Sequence, residues 1–284
     1  MKNSILALLI IFTIASCTTE KAPQEQIENS APVNSAAQDI ANETNQGKKL
    51  VLEMIEAIGG KNGLYKAKDV EYTYSYVDPE GLKDVSTERY IFDGEYSWAK
   101  FTTHDKFVSP GVDAEVIQGY DGSESWVTVG GQLSEEEQVL GLSDFLRKTN
   151  YYWFAMMFKL ADPGLNYEYK GTRSVDSINY EIVEVTFGEN IGDAQDTYVL
   201  YINPETKLVD QFLFTVMGFG IKDPLLMKVK HEEIDGLKLT TYRKYAPANW
   251  NGEVIAEQWT EEISENVKFN NGFEATAFAK PTVK

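Results

Sequence analysis

Residues 70–76 read Val-Glu-Tyr-Thr-Tyr-Ser-Tyr, a strict alternation of large and polar side chains. Successive side chains of a β-strand point to opposite faces, so this alternation predicts a strand with one buried face. The same two-residue period recurs through most of the chain that follows, in runs at 85–92, 95–103, 113–119, 123–129, 166–173, 178–188, 196–203, 207–216, 225–234, 237–245 and 252–263. The pattern predicts a protein built mainly from β-strands.

Turn dipeptides separate these runs at short intervals. They are Asp93-Gly94, Asp121-Gly122, Asp235-Gly236 and Asn251-Gly252, and Asn203-Pro204 begins a further tight connection. Asp-Gly and Asn-Gly tolerate the positive φ that hairpin turns require. Strands joined by short turns are antiparallel neighbours, because parallel neighbours need long crossovers. We therefore predict a mainly β (α+β) fold, with a large curved antiparallel sheet or half-barrel of about 11–12 strands and helices covering its concave face.

Two segments depart from the two-residue period and predict these helices. Residues 50–58 place apolar side chains near one helical face and stop at Gly59-Gly60. Residues 134–160 begin with Ser134 and three glutamates, a helix-start signature, and continue with large apolar residues at spacings of three, four and seven. They form one helix, or two with a break near Thr149-Asn150. Because helix and curled sheet each have an apolar surface to bury, we expect this helix across the concave face.

Within that helix, residues 151–158 carry an aromatic or methionine side chain at nearly every position. A helix that packs only one face on a sheet does not need apolar groups all round. Either the helix is fully buried as ordinary core, or its second face lines an apolar cavity, and methionine and aromatic side chains suit adaptable contact with acyl chains. Two phenylalanines of the run at 207–216 allow the same two interpretations. The candidate ligand-binding residues are Trp153, Phe154, Met156, Met157, Phe212 and Phe214.

The N-terminal segment predicts export and lipid attachment. Lys2 precedes an apolar stretch, Ile5 to Ile14, which has the length of a signal-peptide core and is too short to span a bilayer of roughly 30 Å. The sequence Ile14-Ala15-Ser16-Cys17 resembles a lipobox, and Cys17 is the one cysteine of the chain. An ordinary signal peptide with a cysteine near its cleavage site is the alternative. A lone cysteine excludes an internal disulfide framework.

These features divide the chain into three parts. Residues 1–16 are predicted to be a lipoprotein signal peptide. Residues 17–49 are predicted to be a flexible polar tether, since they are rich in Gln, Asn, Ser, Ala and Glu and contain almost no large apolar residue. Residues 50–284 are long enough for one β half-barrel domain with its own core.

The charge and the motifs of the chain exclude several functions. The formal net charge of −18 argues against nucleic acid as a partner and against docking on anionic lipid through basic patches. His104 and His231 are far apart and no second cysteine exists, so a zinc site has few ligands. No G-x-S-x-G elbow, P-loop or dinucleotide fingerprint is present. We expect no cofactor, no metal and no catalytic residue.

Two minor alternatives stay open because acidic residues are abundant. The loop that contains Glu189, Asp193 and Asp196 could hold calcium, although the EF-hand spacing is not matched. A pair of carboxylates in a curved β architecture could hydrolyse glycosides, but with 44 Asp and Glu residues a random pair is easily found.

Four features resemble the LolA/LolB-type family of bacterial outer-membrane lipoprotein carriers and sorting proteins. They are the lipobox cysteine, the short helix that ends at Ile58-Gly59-Gly60 before the first strand, the helical insertion at 134–160, and the C-terminal stretch from Ile263 to Pro281. The resemblance implies a half-barrel whose helices plug an apolar cavity, which in the carriers holds the acyl chains of lipoproteins. It also implies an arginine on an early strand that helps to control opening, and Arg89 is the nearest candidate.

From these observations we expect a non-enzymatic lipoprotein of the cell envelope, held on a membrane by its N-terminal lipid anchor, with the outer membrane preferred. Its cavity would bind lipid or lipoprotein acyl chains, and the helix at 142–160 would act as a lid. One alternative is an envelope interaction or structural lipoprotein that has no ligand cavity and a protein partner that the sequence does not identify. A carboxylate-dependent hydrolase is a further alternative.

Overall fold

A computed structural model describes residues 36–189, 191–192 and 195–282 of the chain. In this part of the chain, thirteen strands form one antiparallel sheet in the order β6-β5-β4-β3-β2-β1-β13-β12-β11-β10-β9-β8-β7. The strands are β1 (Asp69–Val77), β2 (Lys83–Ile91), β3 (Tyr96–His104), β4 (Val116–Tyr120), β5 (Ser125–Val129), β6 (Gln132–Leu133), β7 (Leu165–Val175), β8 (Ile178–Phe187), β9 (Thr197–Ile202), β10 (Val209–Val216), β11 (Ile221–Ile234), β12 (Leu237–Pro247) and β13 (Thr260–Phe269). The edge strands β6 and β7 are not paired with each other, so the sheet is open, and the predicted curved antiparallel sheet is confirmed.

The four helices are α1 (Ala36–Asn42), α2 (Gln46–Ala57), α3 (Gly63–Ala67) and α4 (Glu137–Lys159). The chain starts the sheet at its centre with β1 and moves outward to the edge at β6. It then crosses through α4 to the opposite edge at β7 and returns to the centre at β13, which pairs with β1. Helix α4 is therefore the one connection between two meanders, and it crosses the sheet.

Two helices lie nearer the N-terminus than the sequence pattern indicates. Helix α1 and the first turn of α2 fall within the segment predicted to be a tether. Asn45 caps α2, because its side chain accepts a hydrogen bond from the backbone N–H of Lys48 at 2.9 Å. Gly47 is buried against β7 and β8, and its lack of a side chain allows this close packing. Residues 17–35, the rest of the predicted tether, lie outside the described residues.

Helix α4 is continuous through Thr149 and Asn150, so of the two alternatives the single helix is the one observed. It begins at Glu137, three residues after Ser134, whose hydroxyl accepts a long hydrogen bond of 3.3 Å from the backbone N–H of Glu136. Its last turns carry eight consecutive apolar or aromatic residues, Tyr151 to Phe158, and their burial in the inner core determines where the helix lies.

The main core lies between the helices and one face of the sheet, which we call the inner face. It contains Val51, Met54 and Ile55 of α2, the apolar residues of the C-terminal half of α4, and inward side chains of both meanders. A second, smaller apolar cluster lies on the opposite, outer face, around Tyr201 and Leu213.

The outer face is covered by loops rather than by helices. Ala248 and Val254 form an isolated bridge and pack on the outer cluster. The strand predicted at 252–263 is therefore wrong at its start: β13 begins at Thr260, because residues 248–256 fold over the outer face instead of continuing the ladder. The Asn251-Gly252 turn lies within this covering loop.

Residues 35–284 form one compact unit that contains the whole sheet and its core. Within the described residues, no helix is both long and apolar enough to cross a bilayer. Cys17 and the predicted signal peptide lie outside the described residues.

Candidate functional site

The C-terminal half of α4 carries an aromatic layer into the inner core. The ring of Phe154 stacks on Tyr72 at a centroid distance of 4.9 Å and on Phe92 at 6.2 Å. Met156 and Met157 are buried in the same cluster. These residues lie on the side of α4 that faces the sheet. Burial of their apolar area holds this half of the helix on the sheet.

On the side of the second meander, Trp153 is the central contact. Its ring stacks on Phe212 at 6.0 Å and meets Phe214 edge-on at 5.2 Å. Tyr198 of β9 completes the group, with its ring centroid 6.3 Å from that of Trp153. Trp153 is half-buried, whereas Phe212 and Phe214 are fully buried.

The structure thus brings the six predicted apolar residues into one region of the inner core: Trp153, Phe154, Met156, Met157, Phe212 and Phe214. It does not bring Arg89 to them. Glu88 and Tyr90 point to the inner face, so Arg89 between them points to the outer face, as strand alternation requires. There its guanidinium lies 4.6 Å from the ring centroid of Trp98 and 5.0 Å from that of Phe273. Arg89 therefore helps to fix the C-terminal segment on the outer face.

A different arginine, which the sequence analysis does not single out, is buried beneath α4. Arg147 is fully buried, and its Nη1 and Nη2 donate to the two carboxylate oxygens of Glu88 on β2 at 2.5 and 3.1 Å. Its Nε donates to the side-chain oxygen of Gln118 on β4 at 3.1 Å. The side chain of Arg147 thereby joins helix α4 to strands β2 and β4.

Glu88 collects further hydrogen bonds from its own strand. The hydroxyls of Ser86 and Tyr90 donate to it at 2.7 and 3.0 Å, and Tyr72 lies within 2.9 Å of the Tyr90 hydroxyl. Burial, with the Glu88 charge next in size, raises the pKa of both tyrosines far above the ordinary value, so both remain hydrogen-bond donors. The Glu88 carboxylate is thus saturated with donors inside the core, as a buried charge must be.

A second buried arginine contacts α4 from the sheet. Arg243 of β12 donates from Nη1 to the backbone carbonyl of Trp153 at 2.7 Å, and its Nε lies 2.9 Å from Oε2 of Glu262 on β13. For Arg147 and Arg243, burial alone lowers the pKa, but the paired glutamate outweighs it and the pKa is raised above the ordinary value. Both arginines therefore hold α4 to the sheet as permanent cations.

The signal for Arg147 is present in the sequence. Ser143, Arg147 and Tyr151 repeat at four-residue spacing, and all three are buried in the structure. The first half of α4 therefore presents a mixed surface to the sheet: Ser143 and Arg147 are buried there, and Val139, Leu140 and Leu146 pack on an apolar cluster of β3, β4 and β5. Because the stripe is not uniformly apolar, hydrophobic periodicity alone does not reveal Arg147.

A crevice lies between α3 and the C-terminal end of α4. Its volume is about 20 Å³, the space of one water molecule or methyl group. The floor is apolar and the rim carries charges; the lining residues are Lys61, Leu64, Tyr65, Phe92, Tyr151, Ala155, Phe158, Lys159 and Asp162. A larger open groove of about 580 Å³ lies beside it, between the start of α2 and residues 161–167, and Asp162 borders both. Neither pocket is lined by Trp153, Met156 or Met157.

The five buried acids of the described residues are all engaged in structural contacts: Asp69, Asp78, Asp84, Glu88 and Glu262. Glu88 and Glu262 pair with the two arginines. Asp69 accepts hydrogen bonds from the backbone N–H groups of residues 271–273, and Asp78 pairs with Lys106. Asp84 accepts from the N–H groups of residues 106 and 107. These carboxylates shape loops and the core.

The two histidines are also far apart in the fold. His104 contacts the backbone carbonyls of Ser109 and Ala114 at 3.2 and 3.1 Å and so holds the loop after β3. His231 lies on β11, where burial lowers its pKa. Within the described residues, no three His, Cys, Asp or Glu side chains are grouped so that they could hold a metal ion.

Comparison with known proteins finds one matching family model and several structures of similar fold. Residues 132–223, which include α4, match a family model described as a family of unknown function, DUF6503. No curated protein matches the chain. A DUF1329 family protein from Desulfovibrio piger has a similar structure, with 15% identity, 83% of this chain and 98% of that chain covered, and a TM-score of 0.51. This likeness shows the fold.

Two further similar structures have lower scores. A LolA superfamily protein from Nitrosomonas europaea has 12% identity, covers 81% of this chain and 97% of its own, and gives a TM-score of 0.48. A protein from Vibrio parahaemolyticus, described as an outer membrane lipoprotein-sorting domain, has 8% identity, 82% and 95% coverage and a TM-score of 0.47. What the described residues show is the expected architecture itself, an open antiparallel sheet with helices on one face.

Proposed function

We propose that the protein is a non-enzymatic binding protein of the cell envelope that takes an acyl chain between α4 and the sheet. One observation supports this most directly: the six candidate residues on α4 and β10 converge in a single aromatic and methionine region of the inner core. Methionine and aromatic side chains can rearrange around an apolar chain with little loss of contact. The inner core then serves as packing in the empty protein and as lining in the loaded one.

In this proposal α4 is the roof of the site. Arg147 fixes its first half to β2 and β4, and Arg243 fixes its middle through the carbonyl of Trp153. Displacing the helix would separate these buried charges from their partners, which is costly in a medium of low polarity. A ligand therefore enters beside α4 rather than by lifting it away.

The binding test uses protein purified without detergent, extracted with organic solvent and examined by mass spectrometry, followed by titration with a fluorescent fatty acid. We expect a co-purified lipid or saturable binding. Trp153→Ala should weaken the binding, because the ring that spans Phe212 and Phe214 is lost. Trp250→Ala, which removes an exposed tryptophan of the outer loop, is the matched control. The proposal would be contradicted if no lipid is extracted from the protein and the fluorescent fatty acid does not bind to it.

We further propose that the protein is held on a membrane, with the outer membrane preferred, by lipid on Cys17. The apolar run before this residue and its small neighbours support the assignment. Cys17→Ala should release a folded domain from the membrane fraction, since residues 35–284 form a compact unit. A variant that stays in the membrane fraction after a salt wash would contradict the anchor.

A second candidate function is an envelope interaction or structural lipoprotein whose interior is simply packed. Two observations favour it: the rings of Trp153 and Phe212 stack directly on each other, and the crevice beside α4 has a small volume. This candidate predicts that apolar ligands neither bind nor raise the melting temperature. The lipid extraction therefore separates the two functions.

A further inference from the structure

Helix α3 (Gly63–Ala67) is a short cover that is flanked at each end by backbone positions of positive φ. Gly59 and Gly60 precede it with φ of 124° and 84°, values that favour glycine, and Lys68 follows it with φ of 60°. No side chain caps its N-terminus. Only Gly63, Leu64 and Ala67 are buried, whereas Tyr65 is 47% exposed. Leu64 is therefore the one large side chain of α3 whose burial resists an outward movement of the helix.

Beneath α3 the crevice is bordered by residues of the inner core. Its floor contains Phe92 and Tyr151, whose ring centroids are 6.5 Å apart, and Phe92 stacks on Phe154. Ala155 and Phe158 of α4 form the rest of the floor beside Leu64. An outward movement of Leu64 with α3 would open an apolar route to the six candidate residues.

The rim of the crevice offers one cation that is not neutralised by a carboxylate. Lys159 pairs with Glu95 and Asp162 at 2.6 and 3.0 Å. Lys61 is exposed, and its one polar contact within the described residues is a long hydrogen bond of 3.5 Å to the carbonyl of Ala161. Lys61 takes part in none of the lysine ion pairs of the described residues, although the chain carries 44 acids and 26 bases.

We propose that this crevice is the entrance of the acyl-chain site, that α3 is its gate, and that Lys61 binds the carboxylate of a free fatty acid whose chain extends past Phe92. This rests on the proposed function, since it names the ligand class and the entrance of the same site. The apolar floor accommodates the chain, and the ammonium group complements the single negative charge of the head.

The test is calorimetric titration of residues 35–284, a compact unit, with decanoate and with 1-decanol, which share a chain and differ in charge. Lys61→Glu should weaken decanoate binding about tenfold, because an attraction becomes a repulsion, and leave 1-decanol binding within about twofold. Lys66→Glu is the matched control: it makes the same charge change on α3 at an exposed position outside the crevice, and it should leave both ligands within about twofold. Lys61→Gln should give an intermediate loss for decanoate. Unchanged melting temperatures confirm that these exposed substitutions leave the fold intact.

Two results would overturn the inference in distinguishable ways. If both ligands bind and Lys61→Glu changes neither, or if Lys66→Glu weakens decanoate equally, the headgroup contact is wrong and the proposed function stands. If neither decanoate nor 1-decanol binds the unaltered protein, the proposed function fails and the inference fails with it.

Discussion

Helices α3 and α4 cover the same inner face of the sheet, but they are held there by different means. Helix α4 is 23 residues long and buries Arg147 and five consecutive residues, Phe154 to Phe158, against both meanders. Helix α3 has five residues, lies between backbone positions of positive φ, and buries one large side chain, Leu64.

The difference indicates which part of the cover can move. Undocking α3 exposes mainly Leu64, which costs about 1.5–3 kcal/mol. Undocking α4 would expose a run of aromatic side chains and separate Arg147 from Glu88. A buried charge that loses its partner is itself costly, so α3 opens far more readily than α4.

The largest expected effect comes from breaking the attachment of α4. Arg147→Met should lower the free energy of unfolding by about 3–5 kcal/mol, because Glu88 loses its cation inside the core. Urea denaturation followed by circular dichroism measures this. The double variant with Glu88→Met should recover much of the loss, since a pair of apolar side chains can replace a buried ion pair. A loss below about 1 kcal/mol for Arg147→Met would show that the pair does not hold α4.

A smaller effect is expected at the joint before α3. Gly59 has φ of 124°, and an added Cβ would lie 2.5 Å from Cδ2 of Leu237. Gly59→Ala should therefore cost about 1–3 kcal/mol in backbone strain and contact. Thermal unfolding measures the loss. A variant as stable as the original would mean that the glycine joint is not required for the position of α3.

The smallest effect, of opposite sign, is expected at Gly141, an exposed position in the first half of α4. No atom lies within 4 Å of an added Cβ there, and the backbone is helical. Gly141→Ala should raise the free energy of unfolding by about 0.5–1 kcal/mol through helix propensity alone. A destabilised variant would show that this part of α4 is not a regular exposed helix. It also serves as the glycine control for Gly59→Ala.

The sheet could be predicted from the sequence because its signals are local. Alternation such as that at 70–76 and turns such as Asp93-Gly94 fix strands and antiparallel pairing. The start of β13 was missed because the run at 252–263 has strand-like residues, and only the tertiary contact of Val254 with the outer cluster turns it into a loop.

The candidate site was predicted in part. The six candidate residues on α4 and β10 were predicted because aromatic and methionine residues are frequent in those two parts of the sequence. The pairing of Arg147 with Glu88 was not, because the two residues are 59 positions apart: the four-residue spacing with Ser143 and Tyr151 marks Arg147 but does not identify its partner. The inward or outward direction of Arg89 depends on the register of β2, which a family likeness does not fix. The joints of α3 are visible as Gly59-Gly60, but the crevice beneath it exists only in three dimensions.

Hydrogen exchange of residues 35–284 with and without saturating decanoate tests most directly which helix is the gate. The amides of α3 should exchange rapidly in the free protein and become protected on binding, while the amides of residues 152–158 stay protected in both states. The opposite pattern, in which α4 exchanges on ligand binding while α3 stays protected, would contradict the account, as would a pattern that decanoate leaves unchanged.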